Sequence, residues 1–325
     1  MNRARFQGSQ TRFDRRSGME RPGGVFRFRH RGMTLGRTVA RRNLSLPGLA
    51  TVPLILAACY PGPIDPIGVP AVPDAFVRFP YVQNVSDSAA WVLWMPVDGA
   101  ADSVWFRVPG RDSAWAVAQV EDHGGGTLRA RLAPLPASAG IEYRVSSSGT
   151  SVGPHAFTTA PPAGRQDEAV RVLLFGDSGW GGSAQIDLSR QMTVRDFDLA
   201  IHVGDIAYDN GSMEDFTKRH FGVYPRMFDA VPFYPSVGNH DVRADGGLSY
   251  DHSFLWPESY TGARYYTFRR GDIQFISIDT SSETEDVDDL RASGGRQYEW
   301  LEHTLREASS DSTVRWIVTF MHHPI

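Results

Sequence analysis

The sequence Val-Arg-Val-Leu-Leu-Phe-Gly-Asp-Ser-Gly occupies residues 170–179. Its apolar run predicts a buried strand, and the Gly-Asp pair that follows predicts a turn carrying a carboxylate. The same order occurs at residues 199–208, where Leu-Ala-Ile-His-Val precedes Gly-Asp-Ile-Ala-Tyr. It recurs at residues 231–241, which end in Gly-Asn-His-Asp, and at residues 314–324, which end in Met-His-His-Pro. Predicted strands that end in polar side chains therefore recur through this half of the chain.

Helical patterns lie between these predicted strands. Apolar residues recur at helical spacing over residues 184–194, 213–228 and 295–308. Residues 264–268 and 273–279 are rich in aromatic and β-branched side chains, and they predict an antiparallel pair of strands. Strands that alternate with helices in this way indicate an α/β architecture.

Polar side chains at the strand ends are candidates for one shared site: Asp177, Asp205, Asn239 and His322. Because the carboxyl ends of strands in an open α/β sheet face one crevice, we expect these side chains to converge. Carboxylate and amide oxygens suit hard metal ions, and an imidazole can complete the ligand set. The glycine before each of the first three is expected to allow a tight turn and a close approach to a phosphate.

The motifs resemble those of the metallophosphoesterases, and most closely those of the purple acid phosphatases. The resemblance implies a two-metal centre in an αββα sandwich. Within that centre it assigns Asp177 to the first metal and Asp205 to a bridging position between both metals. Asn239 and His322 are assigned to the second metal.

Tyr208 and the spacing of the first motif favour the purple acid phosphatases within this superfamily. Tyr208 stands three residues after the bridging aspartate, at the position of the tyrosinate that binds Fe(III) in that family. Residues 177–179 read Asp-Ser-Gly, where many other metallophosphoesterases have Asp-x-His. The implied cofactors are Fe(III) and a divalent ion, which is Fe, Zn or Mn. The resemblance also implies that His240 is catalytic and contacts the phosphate.

The implied reaction is the hydrolysis of a phosphoric monoester by a hydroxide that the two metals activate. Two other functions stay open on the sequence. The same metal centre would also serve a phosphodiesterase or a nucleotidase. A surface lipoprotein without catalytic activity, which binds a partner through an N-terminal β-sandwich, is the other alternative.

A further ligand motif of the family, Gly-His-x-His, does not occur in these 325 residues. The purple acid phosphatases carry it after the motif that contains His322, with one histidine for each metal. The sequence stops at Ile325, directly after a predicted buried strand. We therefore expect the catalytic domain to be incomplete at its C-terminal end. We also expect the 325-residue chain to bind metal weakly and hydrolyse little, whereas a longer product is expected to be active.

The sequence divides into a leader, a tether and two domains. Residues 1–59 have the features of a lipoprotein-type signal peptide, and residues 60–74 are a Pro-rich tether. Residues 75–161 contain short strand patterns separated by turn residues, which predict an all-β sandwich. This segment resembles a fibronectin type III module, including a Phe-x-Thr-x-Pro run at residues 157–161. Residues 168–325 are the predicted metallophosphoesterase domain.

The lone cysteine, Cys59, decides the interpretation of the leader. Leu-Ala-Ala-Cys at residues 56–59 follows an uncharged segment and resembles a bacterial lipobox, in which the cysteine is lipidated. We expect an exported lipoprotein on the cell envelope or in the periplasm, attached to the membrane only through a lipid at Cys59. Arg41-Arg42 also fits a twin-arginine export signal.

Charge is distributed unevenly along the chain. Residues 1–45 contain twelve arginines against two acidic residues, although the net charge of the whole chain is −4. The remainder of the chain is therefore strongly acidic. Binding to nucleic acid requires a basic surface, so we expect no nucleic-acid partner. A phosphate ester is the expected substrate.

Overall fold

A computed structural model describes these parts of the chain: the backbone of strand β1 (Val25–Phe26) and residues 71–98, 102–166, 169–257, 264–284 and 290–324. The predicted signal peptide, Cys59, the arginine pair and most of the Pro-rich tether lie outside the described residues. Across the described ranges, no helix combines the length and the apolar character needed to cross a bilayer.

Strands β2 to β9 form two four-stranded antiparallel sheets between residues 76 and 158. Their strand orders are β2-β3-β7-β6 and β5-β4-β8-β9. The bounds are β2 Phe76–Gln83, β3 Ala90–Pro96, β4 Ser103–Arg107, β5 Ala116–Ala118, β6 Val120–Gly124, β7 Thr127–Leu132, β8 Gly140–Ser147 and β9 Thr150–Thr158.

The two sheets bury apolar side chains between them. In β8 the buried positions alternate with more exposed ones, so that Ile141, Tyr143 and Val145 point inward. They share one core with Val92 and Trp94 of the other sheet. This part of the chain is therefore a β-sandwich, and its likeness to a fibronectin type III module stays a prediction.

Strands and helices alternate from residue 172 onward. The elements are β10 Val172–Phe175, α1 Ser183–Thr193, β11 Leu199–Val203, α2 Met213–Asp215, a π-helix Phe216–Phe221, β12 Phe233–Ser236, a 3₁₀-helix His240–Val242, α3 Leu248–Asp251, β13 Tyr266–Arg270, β14 Ile273–Ser277, α4 Arg296–Ser310 and β15 Trp316–Phe320.

Two sheets pack face to face in this second part of the chain. The first has the order β1-β10-β11-β12, with β10, β11 and β12 parallel, and the second has the order β13-β14-β15. Ile201 and Tyr234 of the first sheet share a core with Phe275 and Phe320 of the second. Met192 of α1 packs on the outer face of the first sheet, and side chains of α4 pack on the outer face of the second. The α/β architecture and the antiparallel pair β13–β14 are thus confirmed.

The helix expected over residues 213–228 is wrong in its length. The helical segment begins at the cap residue Ser212 as α2 and continues as a π-helix, but it ends at Phe221. Gly222 closes it with a hydrogen bond from its N–H to the carbonyl of Thr217 at 2.8 Å. Pro225 follows soon afterwards and cannot donate to a continuing helix. The apolar residues beyond this point pack as a series of turns.

Buried polar groups connect the β-sandwich to the α/β domain. The Arg78 guanidinium of β2 donates to the Ser253 hydroxyl at 2.9 Å and to the Thr217 hydroxyl at 3.0 Å. The Tyr143 hydroxyl of β8 donates to the Asp229 carbonyl at 2.7 Å. The Asp229 carboxylate lies 3.1 Å from the imidazole of His155 in β9. Because unpaired buried polar groups are costly, these pairs favour one relative position of the two domains.

Two fully buried histidines make the fold sensitive to acid. Burial lowers the pKa of His202 to about 3, and it lowers the pKa of His220 well below its usual value. Both side chains are therefore neutral in the folded protein and bind protons only on unfolding, at a pKa of about 6.5. Their contribution to stability is complete above about pH 6.5 and is lost as the pH falls below it.

We expect the free energy of unfolding to fall by about 1.4 kcal/mol for each of these histidines between pH 7.5 and pH 5.5. Urea denaturation at the two pH values measures this. His220→Phe is expected to reduce the pH dependence by about half of the combined effect, because Phe cannot be protonated. An unchanged pH dependence in that variant would show that His220 does not titrate on unfolding.

Candidate metal site

The carboxylates of Asp177 and Asp205 meet the imidazole of His322 at the carboxyl ends of three strands. Asp177 follows β10, Asp205 follows β11 and His322 follows β15 of the second sheet. One ligand atom from each side chain lies within 4.8 Å of the other two. The geometry therefore brings together two oxygen donors and one nitrogen donor that stand up to 145 positions apart in the sequence.

Tyr208 and Asn239 lie at the edges of this cluster. The Tyr208 hydroxyl donates to Oδ1 of Asp177 at 3.1 Å. Nε2 of His322 lies 3.2 Å from Oδ1 of Asn239 and 3.4 Å from Oδ1 of Asp205. All five side chains predicted as metal ligands are thus contiguous in the fold.

A second hydrogen bond of His322 orients its ring. Nδ1 lies 2.8 Å from the carbonyl oxygen of Val203, which can only accept, so Nδ1 carries the proton. Nε2, the other ring nitrogen, faces Oδ1 of Asp205 and Oδ1 of Asn239. Histidines that bind metal commonly have their second ring nitrogen held by a backbone carbonyl in this way.

The two aspartates have an unusual backbone conformation. Asp177 has φ 51° and Asp205 has φ 56°, both in the left-handed region. This region is uncommon for residues other than glycine, and such residues concentrate at functional sites. The conformation turns each chain sharply at the strand end, so the carboxylates point toward the shared cluster.

Glycines in the ligand motifs allow these loops to contact one another. A Cβ on Gly204 would lie 2.6 Å from Nδ1 of His322, and Gly204 itself has φ +88°. A Cβ on Gly238 would overlap the backbone nitrogen and the carboxylate of Asp205. Gly204 and Gly238 therefore leave room for a neighbouring ligand residue, and the close approach of a phosphate to these turns stays a prediction.

Asp241 connects two of the candidate ligand loops, a role that the sequence did not assign. Its carboxylate is fully buried and accepts hydrogen bonds from the backbone N–H groups of Ile206 at 2.7 Å, Ala207 at 3.1 Å and Gly238 at 2.8 Å. Burial raises the pKa of this carboxyl to about 7, and the same three N–H donors oppose that rise. Asp241 therefore ties the loop that carries Asp205 to the loop that carries the next ligand.

Asp241→Ala is expected to destabilise the protein by about 3 kcal/mol or more, because it leaves three buried N–H groups without an acceptor. Thermal and urea unfolding measure the change. Asp241→Asn keeps two of the acceptor contacts at most, so we expect an intermediate loss. Wild-type stability of the alanine variant would show that water replaces the carboxylate at no cost.

His240 lies at the rim of the cluster. Its backbone N–H donates to Oδ1 of Asp205 at 3.0 Å, and Nδ1 of its ring lies 2.6 Å from the carbonyl oxygen of Asp209. The ring packs against Tyr208, with centroids 4.5 Å apart. A guanidinium nitrogen of Arg243 lies 3.0 Å from Nε2. The structure thus places His240 and a cationic neighbour beside the candidate ligands.

The surroundings of Tyr208 keep its phenol protonated when no cation is present. Burial raises its pKa first, and the carboxylates of Asp205 and Asp177 raise it further. The protonated hydroxyl is consistent with its hydrogen bond to Asp177. Only a strong positive charge at the cluster would favour the phenolate.

The donor set fits hard metal ions. Oxygens from carboxylate, phenol and amide groups, together with one imidazole, are ligands for iron, manganese or zinc. Within the described ranges, the ion pairs of Asp177 and Asp205 include no arginine or lysine. Two converging carboxylates without such a partner repel each other, and a bound cation would relieve that repulsion.

The imidazole of His202 contacts the loop that carries Asp177. It is fully buried inside β11, and its Nε2 lies 2.9 Å from the hydroxyl of Ser178. Its ring packs edge-on against Phe175. The side chain therefore belongs to the core beneath the site, adjacent to Asp177.

Comparison with protein families identifies the domain that holds the cluster. Residues 170–325 match the calcineurin-like phosphoesterase family. Acid phosphatase type 7 of Mus musculus is 29% identical over 161 residues, which cover 48% of this chain and 35% of the relative. Probable inactive purple acid phosphatase 24 of Arabidopsis thaliana is 23% identical over 195 residues, which cover 52% and 30%. The chain thus spans about a third of the length of these curated relatives.

Solved structures show the same fold. Purple acid phosphatase PPD1 from yellow lupin (Lupinus luteus) seeds superposes with a TM-score of 0.62 and 18% identity, over 75% of this chain and 50% of the other. The structure of PhoD superposes with a TM-score of 0.57 and 13% identity, over 77% and 63%. At these identities the likeness shows the fold alone. With the family match at residues 170–325, it identifies a calcineurin-like metallophosphoesterase domain that has purple acid phosphatases among its relatives.

Proposed function

We propose that this protein is a metal-dependent phosphoric monoester hydrolase of the acid phosphatase type. The observation that carries the proposal is the convergence of Asp177, Asp205 and His322 within 4.8 Å, inside a domain of the calcineurin-like phosphoesterase family. Tyr208 and Asn239 extend the same cluster.

In this proposal the cluster holds two ions, Fe(III) and a divalent Fe, Zn or Mn. Asp177 and Tyr208 hold the first, Asp205 is shared, and Asn239 and His322 hold the second. A phenolate ligand supports a trivalent ion at the first position, because oxygen anions bind hard cations best. When bound, such ions lower the pKa of water and offset the negative charge of a phosphoryl group.

In this proposal, other groups of the protein orient the ligand side chains and contact the substrate. The carbonyl of Val203 keeps the imidazole of His322 oriented. His240, at the rim with Arg243 beside it, contacts a phosphoryl oxygen, where it offsets charge or gives a proton to the leaving group. The carbonyl of Asp209, 2.6 Å from Nδ1, orients this ring, and the guanidinium of Arg243 lies beside Nε2.

Hydrolysis of p-nitrophenyl phosphate by the purified full-length gene product tests this function. We expect turnover that depends on added Fe and Zn or Mn, falls at least about tenfold with a chelator, and returns when metal is added again. Faster hydrolysis of bis(p-nitrophenyl) phosphate would assign a diesterase instead. Some relatives carry the name inactive, so failure to hydrolyse either ester after metal loading would favour a protein that only binds a partner.

We also propose that the protein is exported and lipidated at Cys59. The lipobox-like residues 56–59 and the basic leader support this. Incorporation of labelled palmitate in bacterial cells, with Cys59→Ser as the control variant, tests it. Equal labelling of both proteins, or no labelling of either, would contradict a lipid at Cys59.

A further inference from the structure

Trp180 is an exposed aromatic residue in the loop that carries the first candidate ligand. Its ring stacks on Tyr208, with centroids 4.5 Å apart and an angle of 10° between the planes. The residue is nevertheless 62% exposed. A planar ring that is covered on one face and is this exposed must present its other face to solvent.

Hydrogen bonds hold the loop around Trp180 in place. The N–H of Gly181 donates to Oε1 of Gln185 at 2.5 Å, and Nε2 of Gln185 donates to the carbonyl of Arg219 at 2.7 Å. The guanidinium of Arg219 in turn donates to the carbonyl of Tyr208. The indole is therefore attached to a fixed loop and stacked on a fixed ring, so it loses little freedom when it binds a ligand.

This indole lies next to a candidate ligand of the metal site, because it stacks on Tyr208. The Tyr208 ring beneath it reaches Asp177 with its hydroxyl, 3.1 Å away. Because Trp180 covers one face of Tyr208, the ring of His240, tilted by 58° at 4.5 Å, contacts a different side of it. The rim of the site thus has an aromatic wall at Trp180 and a cationic wall at His240 and Arg243.

We propose that Trp180 is a specificity-determining residue, and that its open face stacks on a planar aromatic ring in the leaving group of the phosphate ester. The inference rests on the proposed function. The two walls match the two ends of such a substrate, an anionic phosphate and an aryl or nucleoside group. Aromatic rings stack favourably on indole, whereas an aliphatic alcohol gains little there.

The test compares kcat/KM for p-nitrophenyl phosphate, adenosine 5′-monophosphate and glycerol 3-phosphate in the metal-loaded protein. Each substrate is measured with the wild type, Trp180→Phe and Trp180→Leu. Dividing each variant's value by the wild-type value for the same substrate cancels differences in leaving-group chemistry. We expect Trp180→Leu to lose about tenfold on both aromatic esters and less than twofold on glycerol 3-phosphate. Trp180→Phe is expected to keep most of the selectivity.

Binding provides a readout that does not need turnover. Phenylphosphonate is expected to bind the metal-loaded wild type about tenfold more tightly than methylphosphonate, and Trp180→Leu is expected to remove this preference. If no ester is hydrolysed, the proposed function fails and this comparison alone decides the role of Trp180. An equal loss on all substrates would overturn the inference and show that Trp180 only supports Tyr208. Unchanged selectivity would overturn it as well.

Discussion

Asp205→Asn is expected to remove saturable metal binding and to reduce phosphoester hydrolysis at least about a thousandfold. Asp205 lies between the other candidate ligands, with its Oδ1 3.4 Å from Nε2 of His322, and only 4% of the residue is exposed. Asparagine has nearly the same shape, but it lacks the negative charge that two cations would share. Metal analysis after dialysis and initial rates on p-nitrophenyl phosphate measure the two effects.

Asp196→Asn is the matched control. The Asp196 side chain is 89% exposed and lies at the amino end of β11, whereas Asp205 follows the carboxyl end of the same strand. The control is expected to keep wild-type metal content and activity. Equal losses in both variants would show that the effect of Asp205→Asn does not arise at the cluster. Full activity of Asp205→Asn would contradict the assignment of Asp205.

Gly238→Ala is expected to destabilise the protein by about 3 kcal/mol and to weaken metal binding strongly. The added Cβ would overlap the backbone nitrogen, the Cα and the carboxylate of Asp205, and none of these is the flexible end of a long side chain. One loop must therefore move, and that movement separates the ligands. Urea unfolding gives the stability, and metal titration gives the affinity.

Gly140→Ala serves as its control. Gly140 begins β8, and a Cβ there would have no atom within 4 Å. We expect a change within about 0.5 kcal/mol and unaltered metal binding. If Gly238→Ala matches this control, the two loops are separable and the close packing at Asp205 is not required for the site.

Local patterns in the sequence predicted that the candidate ligand residues would follow strand ends. An apolar run followed by Gly-Asp or Gly-Asn marks a strand end, and the strand ends of an α/β sheet meet in one place. Asp177, Asp205 and Asn239 follow this rule in the first sheet. The same rule also selected His322, which reaches the cluster from the second sheet.

Long-range contacts explain what the sequence did not reveal. Asp241 accepts from N–H groups that lie about 35 residues earlier in the chain, and no local pattern indicates such a contact. The Gly-Asn-His-Asp motif does not reveal that Asp205 fills the space beside Gly238. The helix over residues 213–228 was predicted from apolar spacing, which Gly222 and Pro225 overrode.

The most direct test of the account is a titration of the metal-free full-length gene product with Mn²⁺, followed by the electron paramagnetic resonance signal of the free ion. Asp177, Asp205 and His322 form the cluster, so bound Mn²⁺ is expected to remove this signal until the site saturates. In Asp205→Asn the signal is expected to rise as in buffer from the first addition. A wild-type titration that matches buffer, or identical binding by both proteins, would contradict a metal centre at these residues.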